Sequence, residues 1–245
     1  MKNLIISFAM VVILASLSFT QTVDEILEQH FAVIGQEKLL NTNTFITKGK
    51  IMQAQFEIPF TSYHKRPMMF KSEAEFQGMK MSSAFDGKNG WYLNPMMGSS
   101  DPMPMTEEQT EQLKSQADYD GMLYNYKEKG YTVEFTGKET VDDIEAYVLK
   151  LTKQNGDVIN YFIDAENYVL LKSKNKTKIQ DVETETEIIY SNYKEVDGML
   201  IPYSIETMAN GKTIMNMVYE EITFGVDIPD SVFQMPEVSG SDEIK

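Results

Sequence analysis

The sequence predicts a mainly β protein: a single curved antiparallel sheet, an unclosed half-barrel, covered on its concave face by an N-terminal helix and a mid-chain helical insertion. Three observations lead there. Apolar and charged residues alternate with period two over much of the chain, as in Met68, Phe70, Ala74 and Phe76 against Lys71, Glu73 and Glu75. Asn155-Gly156, Asp197-Gly198 and Asn210-Gly211 fall between apolar runs, where two-residue hairpin turns favour those pairs. Helical spacing is confined to the segment after residue 22 and to the segment after residue 106.

Residues 1–20 have the pattern of a secretory signal. Lys2 is a minimal basic start, residues 4–17 are the apolar run, and Ser18-Phe19-Thr20 places small residues at −3 and −1 before Gln21. The run is shorter than the roughly 20 residues of a spanning helix, so cleavage near Thr20/Gln21 and export to the periplasm are expected. The expected division is 1–20 signal, 21–237 domain and 238–245 polar tail.

An amphipathic helix is predicted over 22–40, with capping-box spacing at Thr22 and Glu25 and a stripe of Val23, Ile26, Leu27, Phe31 and Ile34. Strands follow at 45–54, 56–64 and 68–76, then one bearing Met79, Met81 and Phe85 on one face. Asp86-Gly87-Lys88 turns into Gly90-Trp91-Tyr92-Leu93. After a Met, Gly, Ser and Pro loop, Thr106 and Gln109 mark a second helix with Leu113 and Ala117 inward. A short helical piece is expected over 121–129, ended by Gly130. From Tyr131 the pattern is almost continuous strand, and 158–163 is apolar on both faces, as a covered central strand would be. About ten or eleven strands result, with no linker to divide them.

The chain has 245 residues, a net charge of −15 and no Cys. That charge argues against nucleic acid and anionic membrane surfaces as partners. Without Cys there are no disulfides, thiolate metal sites, Cys nucleophiles or lipidated N-terminal Cys. Nucleophile-elbow, phosphate-loop, dinucleotide and paired-His signatures are all missing, so no enzyme, cofactor or metal is predicted. Met79-Lys80-Met81, Met103-Pro104-Met105 and Met215-Asn216-Met217 have the spacing of cuprous-copper sites. Strand alternation accounts for the first and last without a metal; the Met103 pair, in a Pro loop, keeps copper binding as a lesser alternative.

Lys65-Arg66-Pro67 followed by Met68-Met69-Phe70 resembles the second-strand motif of the bacterial outer-membrane lipoprotein carrier (LolA-like) family. Asp86-Gly87-Lys88, Trp91 and Asn94-Pro95 resemble its turn-and-strand signature, and Phe233-Gln234-Met235-Pro236 its closing Phe-x-x-Pro. The resemblance implies an unclosed barrel capped by helices, with an apolar cavity that takes lipoprotein acyl chains in the periplasm. It also implies an inner-membrane ABC transporter as donor, an outer-membrane acceptor, and a lid latched by Arg66 onto helix carbonyls. Arg66 is the only Arg of the chain, and a guanidinium offers five donors in a rigid fork.

Eight of the 17 Met residues fall between Met68 and Met105, and Met suits a deformable lining as well as a core. Met68, Phe70, Phe76, Met79, Met81, Phe85 and Trp91 are therefore the candidate ligand-binding residues, Arg66 the candidate lid latch. The competing reading is an exported interaction module of the same fold, its cavity filled by its own side chains.

Overall fold

The structure is a computed structural model that describes residues 21–98, 101–179 and 182–237, with side chains omitted from description at 177–179 and 182–183. The expected signal at 1–20 and the polar tail at 238–245 lie outside the described residues.

The chain enters through the capping box the sequence predicts. Thr22 accepts from the Glu25 amide and Glu25 accepts from the Thr22 amide at 2.8 Å, starting α1 (Val23–Ile34). The single helix expected over 22–40 is in fact two, because Gly35 turns left-handed (φ 72°) and restarts the chain as α2 (Gln36–Leu40). A Cβ at Gly35 would lie 2.6 Å from the Gly198 carbonyl oxygen, so the corner needs glycine for both conformation and space. A second capping box, Thr106 with Gln109, opens α3 (Glu107–Ala117). Residues 121–129 are consecutive turns rather than the expected helix. Asn125 sits at φ 49°, which no continuing α-helix allows, and Tyr131 instead donates to the Tyr126 carbonyl. Among the described residues no helix is long and apolar enough to cross a membrane.

Among the described residues thirteen strands form one antiparallel sheet: β1 (Thr44–Gln53), β2 (Phe56–Lys65), β3 (Met69–Phe76), β4 (Met79–Phe85), β5 (Gly90–Leu93), β6 (Met103–Pro104), β7 (Thr132–Val141), β8 (Ile144–Thr152), β9 (Val158–Asp164), β10 (Leu170–Ile179), β11 (Val182–Val196), β12 (Met199–Ala209) and β13 (Lys212–Phe224). The count exceeds the expected ten or eleven partly through pieces such as the two-residue β6, too short for alternation to register. The order is β6-β5-β4-β3-β2-β1-β13-β12-β11-β10-β9-β8-β7, two meanders joined where β1 pairs with β13. The sheet does not close, since β6 and β7 are its two edges. Three of its hairpins turn at the predicted pairs; at Asp197-Gly198 and Asn210-Gly211 both residues have φ near 50–74°.

This order has a consequence for the cover. Residues 105–131 must run from one edge strand to the other, so α3 and the turns after it cross a whole sheet face. Packing is tight at the two ends of that crossing. Leu113 and Ala117 of α3 bury against Phe70 and Phe85 of β3 and β4, with Met68 and Met105 beside them. At the other end Ile26, Leu27 and Leu123 bury against Tyr147, Leu149, Leu151 and Ile163 of β8 and β9. The C-terminal segment adds an anchor, because the fully buried Phe233 accepts from Trp91 Nε1 at 2.8 Å through its carbonyl. Between the two packed ends lie β2, β1, β13, β12, β11 and β10.

In that middle region Gly49 interrupts β1 at a bulge, facing Phe60 on one side and Tyr219 on the other. A Cβ there would stand 2.3 Å from the Val218 carbonyl oxygen and 2.9 Å from the Phe60 ring. The missing side chain lets the neighbouring strand and ring close over the backbone.

Candidate functional site

The middle of the sheet is not filled by side chains. A cavity of about 340 Å³ lies between it and the cover. His30 and Ile34 of α1, Leu39 of α2 and Tyr119 of the crossing segment form its upper wall. Phe45 and Thr47 of β1, His64 of β2, Leu170 of β10, Tyr190 and Tyr193 of β11, residues of β12, and Tyr219, Ile222 and Phe224 of β13 form the lower one. No Asp, Glu, Lys or Arg is among the lining residues. Three surface recesses are larger, about 380, 560 and 610 Å³, but Asp24, Glu28, Lys127 and Glu128 line the first, Asp86, Lys88, Glu107 and Glu111 the second, and Lys38, Lys65, Asp197 and Asp227 the third. Of these spaces the central cavity alone joins a wall without charged side chains to room for a chain of methylenes.

Several polar groups of the wall are already engaged by the protein itself. Tyr193 donates to the Leu170 carbonyl at 2.6 Å, and Tyr119 donates to the Thr42 carbonyl at 3.1 Å. Burial drives the phenol of Tyr219 up to about 12, and that of Tyr119 to about 12 as well, with Arg66 opposing. Both stay neutral hydroxyls at any working pH. Burial also lowers the pKa of both imidazoles, that of His64 to about 3, so neither is charged at pH 7.

Arg66, at the end of β2, ties the cover together. Its Nε donates to the Thr42 carbonyl at 3.0 Å, and Nη2 donates to the Leu39 carbonyl at 3.0 Å, at the end of α2. Nη1 and Nη2 also grip the two Asp120 oxygens at 3.0 and 2.6 Å. The guanidinium stacks 4.5 Å from the centre of the Tyr119 ring. Gln36 of α2 reinforces the junction by donating to the Asp120 carbonyl at 3.0 Å. One side chain thus joins the sheet, the second helix and the crossing segment. The two side chains of this ion pair are each 22% exposed, so water screens it only in part.

None of the seven candidate liners is in the wall of this cavity. Phe70 and Phe85 are buried beneath α3, with Met68 packed on them, and Trp91 is a 3% exposed anchor held by its hydrogen bond to Phe233. Phe76 and Met79 pair at the far tip of the β3–β4 hairpin, where the Phe76 ring meets Phe56 edge-on at 4.9 Å. Met81 lines a shallow recess shared with Glu73, Glu75 and Lys80. The cause is α3, which covers β3 and β4 directly and fills the space the alternation pointed to. Most of the residues that do line the cavity come from the C-terminal meander, between Leu170 and Phe224. Their signal was the spacing of Tyr190, Tyr193 and Tyr219 among 13 Tyr residues. His64 adjoins Lys65 and Arg66 in sequence yet is half-buried in the cavity wall, because the two cations point to Asp230 and Asp120 instead.

Among the described residues no three His, Asp or Glu side chains gather as metal ligands. Met79 and Met81 lie on β4, Met215 and Met217 on β13, and the Met103 sulfur on β6 is 3.9 Å from the Tyr92 hydroxyl.

A family model described as that of an uncharacterized protein matches residues 63–239. The chain belongs to that family. No curated protein matches the sequence. Among solved structures, the chain is similar to a LolA superfamily protein from Nitrosomonas europaea, with TM-score 0.58, 16% identity, and 88% of this chain and 98% of that one covered. It is also similar to a DUF1329 family protein from Desulfovibrio piger, with TM-score 0.59, 13% identity and coverage of 85% and 97%. A third is an outer membrane lipoprotein-sorting protein domain from Vibrio parahaemolyticus, with TM-score 0.55, 10% identity and coverage of 82% and 95%. The fold is that of the LolA-like half-barrels: an unclosed antiparallel sheet with helical cover.

Proposed function

We propose that the protein is an exported, non-enzymatic carrier that shelters acyl chains of lipoproteins or lipids in its central cavity and passes them between membranes through the periplasm. The observation that carries this reading is the uncharged, largely apolar space kept open between two tightly packed ends of one sheet. Each methylene withdrawn from water contributes about 0.8 kcal/mol, so even a medium-length chain supplies several kcal/mol. The signal-like segment at 1–20 and the likeness to lipoprotein-sorting domains support export and cargo class. An inner-membrane ABC transporter as donor and an outer-membrane acceptor enter by analogy with the carrier family alone.

In this reading Arg66 is the latch. With Asp120, Leu39 and Thr42 bound, the cover is held onto β2; opening it exposes the cavity for loading or release. Re-forming these bonds draws the cover shut against the cargo, so Arg66→Leu, which cannot re-close in this way, is expected to retain cargo that the wild-type protein gives up. A second reading has one observation in its favour: Phe70, Phe85, Leu113 and Ala117 fill the β3–β4 end with the protein's own side chains. An interaction module would extend that filling to the centre.

Thermal unfolding of delipidated protein with a diacylated lipopeptide separates the two. A ligand at a hundred times its Kd stabilises by about 2.7 kcal/mol, which for a chain of this size raises Tm by roughly 5–11 °C. Unchanged melting across lipopeptides, glycerides and phospholipids would favour the filled module.

A further inference from the structure

A surface recess of about 380 Å³ lies between α1 and the turns at 123–128, and it shares no lining residue with the central cavity. Leu27 and Leu123, buried in the core beneath, form its floor. Phe31, Tyr124 and Tyr126 stand half-buried around that floor, the Phe31 and Tyr124 rings meeting edge to face at 5.6 Å. Asp24, Glu28 and Glu128 are exposed at the margin, against one cation, Lys127.

Both walls are firmly built. Asp24, Glu28 and Phe31 sit at i, i+4 and i+7 of α1, a stripe about 10 Å long. Across from them the turns are held by the Tyr131 amide on the Tyr126 carbonyl at 2.8 Å and the Lys129 amide on the Asn125 carbonyl at 3.0 Å.

The protein's own lysine shows what the recess can hold. Lys127 Nζ lies 5.3 Å from the centre of the Tyr126 ring and 3.5 Å from an Asp24 oxygen, so a cation meets an aromatic face and a carboxylate together. That pair is exposed on both sides, is worth little and is easily displaced. The Glu28 and Glu128 side chains have no ion-pair or hydrogen-bond partner among the described residues. Exposed glutamates on the sheet differ, since Glu221 pairs with Lys48, Glu145 with Lys138 and Glu185 with Lys174.

Charge decides among partners. A net charge of −15 and an acidic margin repel an anionic membrane or an acidic protein. The rings stand behind the carboxylates rather than in front of them, so they offer a bilayer no apolar wedge. A single amine would answer one carboxylate. Three carboxylates around an apolar floor suit a segment that carries successive cations and an apolar residue between them.

We propose that this recess is a docking site for a basic segment of a partner protein, its arginine or lysine side chains set against Tyr124, Tyr126 and the three carboxylates, with an apolar residue against Phe31. The proposal does not depend on the cargo. A neighbouring face of α1 carries His30 and Ile34 into the cavity wall, so a partner held here sits on the cover itself.

The test mixes the purified protein with a short peptide of alternating leucine and lysine and adds a water-soluble carbodiimide, which joins a carboxylate to an amine where the two touch. Peptide mass spectrometry should find the adducts concentrated on Asp24, Glu28 and Glu128 out of 37 acidic residues. Anisotropy of the labelled peptide then reads affinity. Glu28→Lys with Glu128→Lys should weaken binding about tenfold or more, while the same charge change on α3, Glu107→Lys with Glu111→Lys, should weaken it less than about twofold. Tyr124→Leu, which loses the aromatic face, should weaken it about threefold. Lys127→Ala vacates Tyr126 and Asp24 and should tighten it. Adducts scattered over the acidic surface, equal weakening by the two double variants, or no binding of the peptide would overturn the proposal. So would acetyl-lysine amide binding as tightly as the peptide, which marks a small-cation site, or preferential sedimentation with phosphatidylglycerol vesicles, which marks a membrane surface. The carrier reading stands or falls separately, on lipid binding.

Discussion

Arg66→Leu removes four hydrogen bonds at once: two to the Asp120 carboxylate at 2.6 and 3.0 Å, and one each to the Leu39 and Thr42 carbonyls at 3.0 Å. The cost is dominated by what is left behind, a half-buried carboxylate without its cation, since the Thr42 carbonyl keeps its bond from the Tyr119 hydroxyl and the Leu39 carbonyl its bond from the Thr42 amide. Breaking a buried ion pair from one side costs about 3–5 kcal/mol. Residual exposure of 22% on each side chain lets water re-solvate part of the site, so about 3 kcal/mol is expected. For a chain of this length that is a Tm lower by roughly 6–12 °C. Equilibrium urea unfolding of Arg66→Leu, Asp120→Leu and the double variant measures it. Because each single change strands the other partner, the double variant should be more stable than the sum of the singles predicts, by about 1 kcal/mol or more. A single-variant loss below about 0.5 kcal/mol, the scale of an ordinary surface change, would refute the reasoning. So would strict additivity.

Three other expectations follow from the same geometry. Burial holds His64 near pKa 3 against an ordinary 6.5, so below pH 6.5 the unfolded chain takes up a proton that the folded chain refuses. Stability should therefore fall as pH drops from 6.5 towards 3, and wild type should lose about 2 kcal/mol more than His64→Phe over the first two units, read by urea unfolding at each pH. Gly49→Ala puts a Cβ 2.3 Å from the Val218 carbonyl oxygen and should destabilise by about 2 kcal/mol or more; a Tm within a degree of wild type would mean the strands can part there. Trp91→Phe forfeits the 2.8 Å bond to the Phe233 carbonyl and should cost about 1–3 kcal/mol, seen as a lower urea midpoint; no change would mean water or relaxation satisfies that carbonyl.

The fold was legible because its signals are local. Thr22 with Glu25 and Thr106 with Gln109 announce two helix starts that both form capping boxes. Asp197-Gly198 and Asn210-Gly211 announce hairpins that both form, and the doubly apolar run at 158–163 sits between β8 and β10 as a central strand. Boundaries failed where one residue's backbone decides: Gly35 divides the first helix, and Asn125 holds 121–129 as turns. The position of the cavity was not legible. Alternation says which residues share a sheet face but not which part of that face a distant helix covers. Met68, Phe70 and Phe85 satisfied every local criterion for a lining and were then covered by α3, whose route across the sheet follows from the β1–β13 pairing. Tyr190, Tyr193 and Tyr219, ordinary strand residues by pattern, were left around the opening. His64 shows the same gap: it follows no local signal for a cavity wall, and tertiary pairing of the neighbouring Lys65 and Arg66 with Asp230 and Asp120 leaves it there.

Photolabelling addresses the central claim most directly. A glyceride whose acyl chain ends in a diazirine, irradiated on the delipidated protein and mapped by peptide mass spectrometry, marks the residues that touch the chain. Adducts should concentrate on Tyr190, Tyr193, Ile222 and Phe224, in the wall between the two packed ends. Labelling confined to the exposed Met96 and Met97 or to the Phe76–Met79 hairpin tip, with the central wall unmarked, would contradict an acyl chain held in that space.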